Sequence, residues 1–225
     1  MWAVFLVLPL FPAIMGTLNY LGNLEILDNG WYSLWSQHTI FSASFFMPAQ
    51  FGVFCAWQWR LEHTDHNWNS LMTAPVPVRD LYWSKFLLAA GVAVLGQVCI
   101  GVLYLLSGQL AGVSGGLPLQ LAGWMFFGAL GGMAVCAVQL FLSLVIRSFA
   151  PPVALGLVGG IAGLVMTSQG AGLYCPYSLL CLGMRANNPN LSLEVGPFVL
   201  ACGVCIALFS FLTIRCMAGR DVTTG

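Results

Sequence analysis

Hydrophobic positions along this chain fall in long unbroken runs. They lack the strict alternation of a half-buried strand and the narrow stripe of a soluble amphipathic helix. A helix needs about 20 apolar residues to cross a bilayer. Six runs approach or exceed that length: 1–18, 37–59, 83–107, 119–146, 151–167 and 197–214. None contains an acidic residue. The pattern predicts an all-α, polytopic membrane protein with six transmembrane helices, one transmembrane domain over residues 1–225. Pro9 and Pro12 are expected to bend or break the first helix, because proline lacks the N–H that a helix interior needs.

The polar positions between the runs carry the orientation. Arg60, Arg79, Lys85, Arg147, Arg215 and Arg220 lie on one set of connections, and Arg185 alone lies on the other. Basic residues accumulate on the cytoplasmic side, so both termini are expected there, in a multi-pass membrane protein. Lys85, near a helix end, is expected to snorkel toward water. In the outer segment 19–36, Trp31, Tyr32 and Trp35 fit an interfacial aromatic belt. His38, close by, reads as a hydrogen-bonded interfacial residue, since no intramembrane carboxylate completes a proton relay with it.

Composition narrows the class. Of 225 residues, 59% are hydrophobic and only 6% charged, against about 25% charged in a soluble domain. That excludes a soluble globular enzyme, and the formal net charge of +0 leaves no basic field for nucleic acid. Six of the eight cysteines sit in apolar runs as small hydrophobes, whereas Cys175 and Cys181 lie in a loop and can pair. Leu179-Leu180-Cys181-Leu182 reads as a short helix dipping into the interface. Gly128-x-x-x-Gly132, Gly156-x-x-x-Gly160 and Gly159-x-x-x-Gly163 allow close helix approach, either inside one bundle or against a second subunit.

One segment stands apart. Five of the charges (Arg60, Glu62, Asp65, Arg79 and Asp80) crowd into residues 60–80. Leu61, Trp68, Leu71 and Met72 share a face at helical spacing, while Glu62, His63, Asp65 and His66 lie mostly around the others. This predicts a short amphipathic helix at the cytoplasmic interface, ended by Pro75 and Pro77, with Asp80 capping the next helix. Three readings stay open for it: a bare interfacial helix, a docking helix for a cytoplasmic protein, or a metal site on Glu62, His63, Asp65 and His66. No His-Glu-x-x-His motif supports the last. Neither a Gly-x-x-x-x-Gly-Lys-Ser/Thr phosphate loop nor a Gly-x-Ser-x-Gly elbow occurs, so no catalytic residue is assigned.

The block Trp59-Arg60-Leu61-Glu62-His63-x-x-His66-Asn67-Trp68-Asn69-x-Leu71-Met72-Thr73-Ala74-Pro75-Val76 resembles the first cytoplasmic loop of ABC-2 type permeases. More narrowly, it resembles the lantibiotic self-immunity permeases of Gram-positive bacteria. Asp80-Leu81-Tyr82-Trp83-Ser84-Lys85, Leu8-Pro9-Leu10-Phe11-Pro12 with Gly16-Thr17-x-Asn19-Tyr20, and Gly30-Trp31-Tyr32-Ser33-Leu34-Trp35-x-Gln37-His38-Thr39 agree with it. The likeness covers residues 1–90 and continues beyond them only as topology and hydropathy. It departs at the N-terminus, where relatives carry a basic amphipathic segment ahead of the first span.

The resemblance implies a non-catalytic permease subunit paired with a second, identical or homologous permease. ATP and Mg would be held on a separate ABC ATP-binding subunit, with no cofactor or metal on this chain. It also implies that the loop between spans two and three is a coupling helix, a role falling here on Glu62, His66, Asn67, Trp68, Leu71, Met72 and Pro75. The expected activity is ATP-driven export of a lantibiotic or other antimicrobial peptide from the membrane. The alternatives are an ABC-2 exporter of a drug, lipid or glycan precursor, a membrane-embedded metalloenzyme, and an immunity protein that only binds the peptide.

Overall fold

The computed structural model describes residues 7–63 and 76–219, with the backbone alone at Leu61 and His63. Every regular element among them is helical. In chain order these are α1 (Leu10–Gly22), α2 (Gly30–Phe41), a π-helical turn (Ser42–Phe46), α3 (Met47–His63), α4 (Val78–Leu110), α5 (Leu121–Val145), α6 (Ala150–Ser168), α7 (Pro176–Met184) and α8 (Val195–Ala218).

Five stretches among the described residues are long and apolar enough to cross a membrane: Gly30–Arg60, α4, α5, α6 and α8. The expected first span is described only from residue 7. Leu8 and Pro9 form a turn, and α1 runs 13 residues from Leu10, about 20 Å at 1.5 Å per residue. Pro9 stands at the N-cap of α1, and the residues before Val7 lie outside the described ones. Pro12 does not break the helix, because it falls in the first turn of α1, where its missing N–H has no intrahelical acceptor to lose.

The second span is longer than its hydropathy predicted. The helix starts at Gly30, whose φ of 49° suits glycine, and runs through the π turn to His63. The π turn has a local cause. Pro48 cannot donate to the Ser44 carbonyl, and the ladder shifts register, with the Met47 N–H bonded to the Ser42 oxygen. The other spans lie close to expectation, as 78–110, 121–145, 150–168 and 195–218.

The core gathers around α5, which packs against α3, α4, α7 and α8. Small residues set these approaches. A Cβ at Gly160 would run into the Ser44 carbonyl, and one at Gly156 would stand 2.5 Å from the Pro48 oxygen. The second glycine pair of α6 meets α7, Gly159 against the Tyr177 ring and Gly163 against the Tyr177–Ser178 peptide. Gly132 faces Ala93 and Phe51, and Gly128 faces Met184 and Gln97. All three glycine motifs therefore serve packing within one chain.

The short helix expected near Leu179 is present as α7. It is a buried strut whose Leu179, Leu180, Cys181 and Met184 are enclosed by the bundle. Cys175 and Cys181 are both free thiols.

The aromatic belt expectation fails for the two tryptophans. Trp31 is 7% exposed and Trp35 fully buried. Trp35 stacks on Trp124 at 5.5 Å, meets Tyr104 edge-on at 5.1 Å, and donates its indole N–H to the Met184 carbonyl at 2.9 Å. The extra two turns of α2 carry these rings into the bundle.

A candidate coupling site at the foot of two spans

α3 and α4 carry the chain into and out of the polar segment. Of the residues expected to couple, Glu62 is described; His66, Asn67, Trp68, Leu71, Met72 and Pro75 lie outside the described residues. The remaining metal-ligand candidates, the His63 side chain and Asp65, lie outside them too. Asp80 sits in the first turn of α4 rather than at its cap, which is Pro77. There its charge still complements the positive end of the helix dipole.

Glu62 meets Lys85. The Lys85 ammonium is 2.9 Å from a Glu62 carboxylate oxygen, donates to the Gln58 carbonyl at 3.1 Å, and lies 4.8 Å from the centre of the Trp59 ring. Lys85 does not snorkel as expected, because its side chain is only 9% exposed. A carboxylate, a carbonyl and an indole face replace water around its charge.

Two further bonds tie this foot to the bundle. The Trp59 indole N–H, fully buried, donates to the Leu140 carbonyl of α5 at 2.9 Å. The Tyr82 hydroxyl, also fully buried, meets the Ser210 hydroxyl of α8 at 2.5 Å. The two helices that flank the polar segment are thus fixed to each other and to α5 and α8. Trp59, Tyr82 and Lys85 were not singled out from sequence as a unit. The available signal was Lys85 itself, a lone cation inside an apolar run, which demands a nearby carboxylate.

His38 is 1% exposed, inside the bundle rather than at its surface. Its Nε2 lies 3.0 Å from the Thr17 hydroxyl and 3.1 Å from that of Ser107. Both hydroxyls already donate to backbone carbonyls, Thr17 to Ala13 and Ser107 to Tyr104. Nε2 thus sits between two hydroxyl oxygens, within hydrogen-bond distance of both. The three groups pin α1, α2 and α4 together. Separately, Asn19 donates to Gln37 at 2.6 Å, a second polar tie between α1 and α2.

The connections fall at two ends. Arg60, Arg79, Lys85, Arg147 and Arg215 share the end of the α3–α4 and α5–α6 connections. Arg185, at the end of α7, shares the other end with the α1–α2 and α4–α5 connections.

A family model described as ABC-2 family transporter protein matches residues 1–163. No curated protein matches the chain, and no solved structure does. The matched region runs from α1 into α6 and takes in both helices of the braced foot. The chain belongs to the ABC-2 transporter family, as a membrane component of transport.

Proposed function

We propose that this chain is the permease subunit of an ATP-driven exporter that lifts an amphipathic antimicrobial peptide, a lantibiotic, out of the membrane and so protects the cell. The observation that carries the coupling part of this reading is the braced foot. Lys85, Trp59 and Tyr82 lock the feet of α3 and α4 to each other, to α5 and to α8, so these two helices move as one with the bundle. Force applied there by a partner passes into the bundle as a rigid-body tilt.

In this reading the end bearing Arg60, Arg79, Arg147 and Arg215 is cytoplasmic. Glu62, His66, Asn67, Trp68, Leu71, Met72 and Pro75 take hold of the ATPase, which holds ATP and Mg. A second permease completes the pump. Resemblance of residues 59–76 to lantibiotic immunity permeases supports the peptide substrate.

The test is co-purification of the chain with an ATP-binding subunit encoded beside it, together with survival of cells challenged with a lantibiotic. Trp68→Ala with His66→Ala is expected to lose both ATPase association and resistance while the permease still reaches the membrane. Retention of both would refute the coupling role. ATP-dependent resistance to a drug but not to the peptide would refute the substrate.

A further inference from the structure

At the end of the bundle away from the braced foot, a cavity of about 660 Å³ opens between the start of α5 and the segment joining α7 to α8. Its lining includes Tyr32, Gln120, Trp124, Phe127, Arg185 and Ser192. Arg185 is 8% exposed. Its guanidinium gives Nε to the Leu191 carbonyl at 3.1 Å and Nη1 to those of Leu182 and Gly183 at 2.8 and 3.2 Å. Its Nη2 has no hydrogen-bond acceptor among the described residues, and no carboxylate there pairs with its charge. Carbonyls satisfy N–H groups but do not neutralise a cation, so a nine-tenths-buried positive charge faces this cavity without a counter-ion.

The rest of the lining supplies donors. Tyr32 donates its hydroxyl to Gln120 Oε1 at 3.0 Å, which leaves the Gln120 amide N–H₂ as the free end of that side chain. Ser192 adds a hydroxyl and Asn190 an amide. No acidic residue lines the space, while Trp124, Phe127, Leu119 and Leu193 give it an apolar wall. Several donors lining one cavity with a cation suit an anion with several oxygens, and the apolar wall suits the carbon skeleton attached to it.

We propose that this cavity binds the phosphate of an amphipathic molecule, with Arg185 as its counter-charge and Gln120 and Ser192 as further donors. The site needs neither an ATPase nor a peptide, so it stands apart from the transport reading.

The test is calorimetric titration of the full chain in neutral detergent with three probes: inorganic phosphate, dihexanoyl phosphatidylglycerol and dihexanoyl glycerol. Phosphatidylglycerol is expected to bind, and dihexanoyl glycerol, which lacks the phosphate, is not. Arg185→Gln is expected to weaken phosphatidylglycerol binding by about tenfold or more, as for loss of a charged hydrogen-bonding partner. Ser192→Asp places a carboxylate at an exposed position of the rim and is expected to weaken it similarly, so the result survives if Arg185→Gln fails to fold. Inorganic phosphate binding as tightly as the lipid overturns the amphipathic ligand and leaves a free oxyanion in its place. Weaker binding identifies the headgroup. Equal binding of dihexanoyl glycerol, or unchanged binding in Ser192→Asp and in any folded Arg185→Gln protein, overturns the proposal.

Discussion

Glu62 and Lys85 are 23 residues apart in sequence and 2.9 Å apart in space, joined across the feet of the two helices that bracket the most polar segment of the chain. Lys85 is the more buried partner, at 9% side-chain exposure against 19% for Glu62. The pair is therefore asymmetric. Removing the carboxylate leaves a cation enclosed by protein, whereas removing both charges leaves no buried ion without a partner. Glu62→Gln is expected to destabilise the folded chain by about 3 kcal/mol, and Glu62→Gln with Lys85→Met by much less. Denaturant unfolding in detergent micelles measures both. Equal losses in the single and double variants would show that the charge pair is not what holds the foot.

Two helix glycines, one in α6 and one in α8, make predictions of opposite sign. Gly160→Ala puts a methyl into the Ser44 carbonyl, which is backbone and cannot swing aside. The expected cost is about 1–3 kcal/mol. Gly203→Ala, in α8 with open space around its Cβ direction, is expected to stabilise by about 0.5–1 kcal/mol through helix propensity. Thermal melts of the two variants, run side by side, should move in opposite directions.

Trp35 joins α2 to the end of α7 through its indole N–H. Trp35→Phe keeps most of the ring but orphans the buried Met184 carbonyl, for an expected loss of about 1–3 kcal/mol. If the melting temperature is unchanged in this variant, the bond does not tie α7 to α2.

Cysteine labelling separates the two thiols of α7. Burial pushes the Cys181 thiol up to about 12, and its side chain is fully enclosed. At pH 8 it is the unreactive protonated form. Cys175, partly exposed at the cap of α7, is expected to react with maleimide in the folded chain, and Cys181 only after unfolding. Mass spectrometry of labelled peptides reads this directly. Modification of both residues in the folded chain would contradict the buried position of α7.

Much of the fold was legible because lipid imposes length on apolar segments, so four of the spans lie within a few residues of their hydropathy limits. The start of the second span was not. Gly30–Ser36 carries enough serine and aromatic character to read as an interfacial loop, and only the partners Tyr104, Trp124 and Met184 explain why these residues form buried helix. At the foot, the polar segment was visible as a concentration of charge. Its bracing was not, because Trp59–Leu140 and Tyr82–Ser210 link residues 81 and 128 positions apart. No periodicity records such a pairing. The buried state of Arg185 was likewise hidden, since an arginine between spans reads as exposed until the fold closes over it.

The inward-turned glycines of α6 also determine what its opposite side can be. Its outward residues include Leu155, Val158, Ile161 and Val165, all bulky and each at least 40% exposed. Exposed Ala154 and Ala162 lie among them, so a neighbouring helix meeting that side finds only small gaps between bulky side chains. It meets branched side chains much like the acyl chains they would displace. Any association through this face is therefore a contest with lipid decided by fit between side chains, so bilayer composition becomes a variable in assembly as real as any residue.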